Sequence, residues 1–178
     1  MELIVNVIRL IRAHFKCVFL KILNGKRFVY SNLLRMEKNV RIVVRDNSSI
    51  QLKKNVLISG NSVLSATDGG TLVIGENVGV NRNSMIMCHD SISIGDNTIM
   101  GPGVYIYDHD HKFDTMQGVH RNEYTTAPVA IGKNCWIGAY TIILRGTSIG
   151  DGCVVAAGSV LKGAYPPGSK IIQKRFTN

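Results

Sequence analysis

From Ile131 to Leu161 every sixth residue is aliphatic: Ile131, Ile137, Ile143, Ile149, Val155 and Leu161. An amphipathic helix would return its apolar face every 3.6 residues and a half-buried strand every second residue. A period of six fits neither and signals one small unit used repeatedly. The same phase runs upstream through Leu52, Ile58 and Leu64, then Ile74, Val80 and Ile86, then Ile94, Met100 and Ile106. Three hexads close one coil of a three-sided prism, so the pattern predicts an all-β chain, a parallel β-helix of short strands and tight corners with the aliphatic positions filling its axis.

The breaks in phase carry information of their own. Four extra residues separate Leu64 from Ile74, around Thr67-Asp68-Gly69-Gly70, and two separate Ile86 from Ile94. Small corner insertions absorb both. Between Ile106 and Ile131 the gap is 25 residues, with no repeat character. This predicts one long extruded loop over 107–128, and a loop of that length in a compact domain is usually functional.

Residues 1–27 follow the helical period instead. On a helical wheel Glu2, Asn6, Arg9, Arg12 and Lys16 share one side, and Ile4, Val7, Ile8, Ile11, Phe15, Val18 and Ile22 share the other. This predicts an N-terminal amphipathic α-helix that covers one end of the prism or packs in an oligomer. The β-helix domain is placed at 36–165 and a C-terminal tail at 166–178.

Composition changes this picture only at the helix. The net charge of +9 is concentrated there, where Arg9, Arg12, Lys16, Lys21, Lys26 and Arg27 oppose Glu2 alone. A basic amphipathic helix also suits an anionic membrane surface. Charges interrupt every apolar run long enough for a signal peptide or a span, so a cytoplasmic protein is expected, with peripheral membrane contact through residues 1–27 as a further option. No aromatic-basic motif or helix-turn-helix pattern accompanies the charge, which argues against nucleic acid. Cys17, Cys88, Cys135 and Cys153 form no C-x-x-C pair, so a zinc ribbon is not expected, and Cys135 and Cys153 should stack one coil apart as small core fillers.

Candidate chemistry gathers at the largest break. His109 and His111 lie in Tyr107-Asp108-His109-Asp110-His111, where the chain leaves the prism. Two residues apart in extended chain, the two rings are expected to point to opposite sides, so that at most one serves a given site, with Asp108 or Asp110 as the carboxylate that orients it. His14, His89 and His120 are assigned to the surface or to an interface.

The segments IGDNTIMGPGVYIYDHDH and IGKNCWIGAYTIILRGTSIGDGCVVAAGSVL resemble those of the hexapeptide-repeat sugar O-acetyltransferases of the maltose and galactoside type, in particular those of capsule and surface-polysaccharide synthesis. The resemblance implies a left-handed β-helix, acetyl-CoA as co-substrate, no metal, and a homotrimer with sites between subunits. It implies His111 as general base and the Ala139 N–H as oxyanion donor. Trp136, Gly138, Ala157 and Gly158 are implied to lie along the pantetheine arm, and Lys162 and Lys174 at the coenzyme A phosphates. Asn81 is implied to meet the acceptor sugar, with Asn83 as its neighbour; an alternative for Asn81 is a corner residue in left-handed conformation. The tail SKIIQKRFTN departs from the maltose enzymes at the coenzyme A nucleotide end and resembles that of some surface-polysaccharide acetyltransferases; the basic helix departs from their acceptor-binding segment, which leaves the acceptor open. Two other functions use the same prism: a metal hydratase of the γ-carbonic-anhydrase type, drawing on His89, His109, His111 and His120, and a non-catalytic scaffold.

Overall fold

The computed structural model describes residues 2–172. Its centre is a parallel β-solenoid with three faces, two of seven strands and one of six. The first face opens with Phe28–Tyr30 and closes with Ala164–Tyr165; the second runs from Arg35–Met36 to Lys170–Ile171; the third runs from Arg41–Val44 to Val160–Leu161. Stacked strands thus reach beyond 36–165 at both ends. Each strand pairs in parallel with the strand one coil away, as Ile99 does with Trp136 and Trp136 with Val154.

The sixfold pattern is the axis of this solenoid. Every one of Leu52, Ile58, Leu64, Ile74, Val80, Ile86, Ile94, Met100, Ile106, Ile131, Ile137, Ile143, Ile149, Val155 and Leu161 is buried. Burying one such side chain stabilises by about 1.5–3 kcal/mol, and the stack repeats that contribution coil after coil. Corners hold the register. Asn55 donates to Asn77, Asn77 to Asn97 and Asn97 to Asn134, at sequence separations of 22, 20 and 37. All four asparagines sit at positive φ, a conformation asparagine tolerates better than most residues. Cys135 and Cys153 are stacked neighbours, since the Trp136 N–H donates to the Cys153 carbonyl at 2.9 Å, and both are buried as free thiols.

The helix Glu2–Asn24 closes the first coil, but through a different stripe from the one the wheel suggests. Ala13, Cys17 and Leu20 are its buried residues, whereas Ile4, Val7, Ile8, Ile11, Phe15 and Ile22 are exposed. Small side chains at 13 and 17 let the helix approach closely. Basic residues then satisfy the uncovered coil: Lys16 Nζ donates to the Val40 carbonyl at 2.6 Å, Lys21 Nζ to the Phe28 carbonyl at 3.1 Å, and Arg9 to the Glu37 carboxylate. An open sheet end needs such partners. Burial pushes the Cys17 thiol up to about 12, so it is packing material rather than a nucleophile. Among the described residues no helix is long and apolar enough to cross a membrane.

The extruded segment is an antiparallel hairpin, His109–Asp114 with Gly118–Thr126, standing out from the edge between the third and first faces. Its neck is closed by the Ala127 N–H on the Asp108 carbonyl, 2.9 Å, and the Gly146 N–H on the Ala127 carbonyl, 3.1 Å. A salt bridge from Arg145 Nε to Asp110 Oδ2, 2.5 Å, ties it to the following coil.

Candidate active site

The hairpin root is built around one carboxylate. Asp108 directly follows the third-face strand of its coil, is wholly buried, and accepts the backbone N–H groups of His89 and Asp90 from the coil below at 2.8 Å each. Its Oδ1 also meets His109 Nδ1 at 3.1 Å. Burial raises its pKa, but these hydrogen bonds together outweigh burial and hold it below the usual carboxylate value. Asp108 is therefore an ionised staple between coil and hairpin. Burial, with the charge of Asp108 beside it, drives the Cys88 thiol upward and keeps it protonated.

His89 belongs to this root. Its side chain is only 9% exposed, its ring stacks on that of His109 with centroids 3.6 Å apart, and Tyr124 meets it edge-on at 4.5 Å. Nδ1 stands 2.8 Å from Asp68 Oδ2 but lacks hydrogen-bond alignment, so the contact is electrostatic only. Burial first, and the His109 ring second, lower the His89 pKa below its ordinary value. The expectation of a surface or interface residue fails for His89. Its signal was available: the step from Ile86 to Ile94 places His89 and Asp90 at the corner directly beneath Asp108.

His109 and His111 do not point to opposite sides. Alternate residues of a strand share a face, and both rings contact Tyr124, with centroids at 5.3 and 4.7 Å. They differ in access. The His109 side chain is 12% exposed, while His111 is exposed on the hairpin. Neither Asp108 nor Asp110 orients His111, because Asp108 holds His109 and Asp110 holds Arg145. His111 Nδ1 instead lies 3.3 Å from the His120 carbonyl oxygen. A carbonyl can only accept, so Nδ1 is the donor, and in the neutral ring Nε2 is the nitrogen left with a lone pair. His120 is held in turn by Asp114 at 2.7 Å.

The other expected residues lie on a different edge, between the second and third faces. Here Lys38, Gly60, Arg82, Pro102 and Ala139 stand in successive coils, each carbonyl accepting an N–H from the next coil: Asn61, Asn83, Gly103, Tyr140 and Gly158 in order. Gly138 and Ala157 are in close contact, since a Cβ at Gly138 would lie 2.4 Å from the Ala157 nitrogen. The Ala139 N–H makes no hydrogen bond among the described residues. A Cβ on Gly101 would come within 2.6 Å of that nitrogen, so glycine at 101 keeps the donor uncovered. Trp136 is 56% exposed on the second face, free of the core. Tyr140 was not anticipated: an exposed aromatic at φ 57, it packs against Gly103, where a Cβ would lie 2.6 Å from its ring.

Asn81 and Asn83 sit on this same edge, and the left-handed corner is Asn83, with φ 58, rather than Asn81. Asn81 Oδ1 accepts the Arg82 N–H at 2.8 Å, which leaves its amide N–H groups for a ligand. Lys162 is exposed at the edge between the third and first faces, and Lys174 lies outside the described residues. Within one chain, therefore, His111 and the Ala139 donor occupy opposite edges of the third face. Among the described residues no three His, Cys, Asp or Glu side chains form a group that could hold a metal ion.

Comparison with known proteins brings relatives to this geometry. A family profile described as the hexapeptide repeat of succinyl-transferase matches residues 71–108 and 128–162, on either side of the hairpin. WbbJ of Escherichia coli K12, whose name places it as an O-acetyl transferase of lipopolysaccharide biosynthesis, is 31% identical over 147 residues, which cover 75% of each chain. Rv3034c of Mycobacterium tuberculosis H37Rv, named an acetyltransferase, is 34% identical over 125 residues, 67% of this chain and 40% of that one. Of several other curated relatives, too, this chain spans only about half the length. Among solved structures, a maltose O-acetyltransferase from Clostridium difficile 630 superposes with a TM-score of 0.51 at 27% identity, covering 89% of this chain and 80% of that one.

Proposed function

The chain belongs to the hexapeptide-repeat acetyltransferase family, and we propose that it transfers an acetyl group from acetyl-CoA to a hydroxyl of a sugar or surface-polysaccharide precursor, with His111 as general base. The observation that carries this reading is the state of His111: an exposed ring whose Nδ1 is committed to the His120 carbonyl, leaving a basic Nε2 beside the solenoid. A sugar hydroxyl is a poor nucleophile near neutrality. His111 Nε2 takes its proton as the oxygen attacks the thioester carbon, and the bond to sulfur breaks once the tetrahedral intermediate collapses. The proton on Nε2 then passes to the departing thiolate, which leaves as coenzyme A thiol.

Negative charge on the carbonyl oxygen of the intermediate meets the Ala139 N–H, the uncovered donor of the second edge. Trp136 flanks the reacting centre, and the small corners at Gly138, Ala157 and Gly158 receive the pantetheine arm. Lys162 and Lys174 meet the nucleotide phosphates, and Asn81, with Asn83 beside it, meets the acceptor. Because base and donor occupy opposite edges of one chain, the complete site forms between copies. A homotrimer satisfies this geometry: its threefold symmetry sets the His111 edge of one subunit against the Ala139 edge of the next.

The test pairs turnover with assembly. Thiol release from acetyl-CoA across a panel of sugars and nucleotide sugars is expected to reveal an acceptor, and sedimentation is expected to give a trimer. A fully active monomer would overturn the shared site.

A further inference from the structure

A groove of about 440 Å³ lies where the N-terminal helix crosses the second edge, walled by Val5, Ile8, Arg9, Arg12, Lys38 and Arg82. Four of these side chains are cations, and one carboxylate, Glu37, faces them. Glu37 accepts from Arg9 and from Arg82 Nε at 3.2 Å, and from the Gly60 N–H at 3.0 Å, so it fixes two guanidinium groups at the wall. Among the described residues Arg12 and Lys38 have no ion-pair partner. The groove is therefore cationic after its internal pairs are counted, with Val5 and Ile8 as its apolar side.

Its place in the stack gives the charge a purpose. Lys38, Gly60 and Arg82 occupy the same corner position as Ala139, in earlier coils of one edge. Arg82 stands two coils from Ala139, with only Pro102 between, and parallel strands repeat at 4.7–4.9 Å, so the separation is about 10 Å. Asn81 adjoins Arg82 in the same coil, at the end of the groove nearest the donor. An acceptor that spans the distance from Ala139 to Asn81 therefore brings its far end to the cations of the groove.

We propose that the acceptor is a phosphorylated sugar, whose phosphate or diphosphate ester is bound by Arg12, Lys38, Arg9 and Arg82 in this groove. The inference rests on the acetyl-transfer reading and specifies its substrate class. Guanidinium forks match phosphate oxygens in pairs and lysine adds a compact charge, which is the donor set a diphosphate requires. Glu37 pre-orients two of the forks at a cost in net charge that Arg12 and Lys38 restore. Two sources supply this chemistry, a soluble nucleoside diphosphate ester and a lipid diphosphate ester, and the second would lay its chain along Val5, Ile8 and the exposed apolar face of the helix.

The experiment has two readouts on the full chain. Binding of inorganic pyrophosphate is measured by calorimetry with coenzyme A present, in the native protein, in Arg12→Gln/Lys38→Gln and in Lys38→Glu. Thiol release is measured with a hexosamine, its 1-phosphate, its uridine diphosphate ester and a short-chain prenyl diphosphate ester in detergent. The proposal expects saturable pyrophosphate binding that weakens at least tenfold in both variants, and kcat/KM at least tenfold higher for phosphorylated acceptors than for the free sugar. The better of the two diphosphate esters identifies the source. Equal kcat/KM for free and phosphorylated sugars overturns the proposal, as does pyrophosphate binding unchanged in the variants. Capture by anionic vesicles without pyrophosphate binding also overturns it and makes the groove a membrane contact. Groove-dependent pyrophosphate binding with no acetyl transfer to any acceptor leaves the anion site standing and removes the catalytic reading.

Discussion

Two edges of the prism keep one turn length in every coil, and the third does not. The first–second edge carries the asparagine ladder, and the second–third edge carries the carbonyl ladder from Lys38 to Ala139, each with the same short turn in every coil. At the third–first edge the connection is Arg45 to Ser48 in one coil, Thr67 to Gly70 in the next, His89 and Asp90 in the third, then the whole hairpin, then Leu144 to Thr147, then Lys162 and Gly163. Regular edges stack backbone on backbone and keep their length, while their side chains vary, as Lys38, Gly60, Arg82, Pro102 and Ala139 do. The irregular edge varies in length and accepts insertion, which makes it the place where new chemistry is easily carried. His89, Asp108, His109 and His111 all lie there. The reaction assigned to the chain needs both kinds of edge, a rigid donor and a variable base.

Removing the base is the largest break in this division of labour. His111→Ala is expected to lower kcat/KM by about 100- to 10,000-fold, the usual contribution of a general base, with circular dichroism and sedimentation unchanged because the ring is exposed on the hairpin. His109→Ala should behave differently, losing thermal stability as well as activity, since it removes the partner of Asp108 and of the His89 ring. Equal turnover in native protein and His111→Ala would move the base elsewhere on the irregular edge.

Glycine-to-alanine substitutions compare the edges directly. At Gly138, on a regular edge, the new methyl meets the Ala157 backbone at 2.4 Å, and overpacking of this kind costs about 1–3 kcal/mol. At Gly69, on the irregular edge, φ is +85 and nothing lies within 4 Å, so only the left-handed conformation is penalised, by about 1–2 kcal/mol. Denaturant midpoints are expected to fall further for Gly138→Ala, and only that variant should also lose coenzyme A binding. The ladder gives a smaller effect. Asn97→Ala loses its bonds to Asn77 and Asn134 and strains φ 59, whereas Asn97→Gly loses the bonds alone, about 0.5–1.5 kcal/mol each. Glycine should therefore recover part of the stability that alanine loses in thermal melts.

The same difference between edges governs what the sequence reveals. Hexad phase made the axis legible, because each coil must present an aliphatic residue inward at the same positions, and all fifteen named positions are buried. Phase also marked the irregular edge, but only as its own failure. Nothing in a 25-residue gap announces an antiparallel hairpin, since its pairs, such as His111 with Tyr124, are set by the neck and not by an apolar core. Stacking is legible where the phase is unbroken, as for Cys135 on Cys153, and not across the irregular edge. His89 is twenty residues from His109, and only the register of that coil, with Met87 beside Tyr107, brings the two rings together. The helix shows a similar limit: the wheel gives an apolar face but not the stripe that meets the prism, and close approach to its narrow end selects Ala13 and Cys17.

The smallest expected effect separates the histidines by pH. His89 is neutral in the fold because burial, and then the facing His109 ring, lower its pKa from the ordinary 6.5, while Asp68 and Asp108 oppose the shift and His111 adds to it. As pH falls through 6.5 the unfolded chain takes up a proton that the folded chain still refuses, so folding is progressively disfavoured on acidification and fully supported above that value. Asp108 works in the same direction at lower pH, since its depressed pKa supports the fold until it too is protonated. His89→Asn removes the first of these contributions and leaves the second. Thermal melts of the native protein are therefore expected to fall more between pH 8 and pH 5.5 than those of His89→Asn, and amide exchange should localise the difference to residues 107–128. Identical pH dependence in the two proteins would mean that the stacked pair does not hold the hairpin root, and that Asp108 fastens the irregular edge alone.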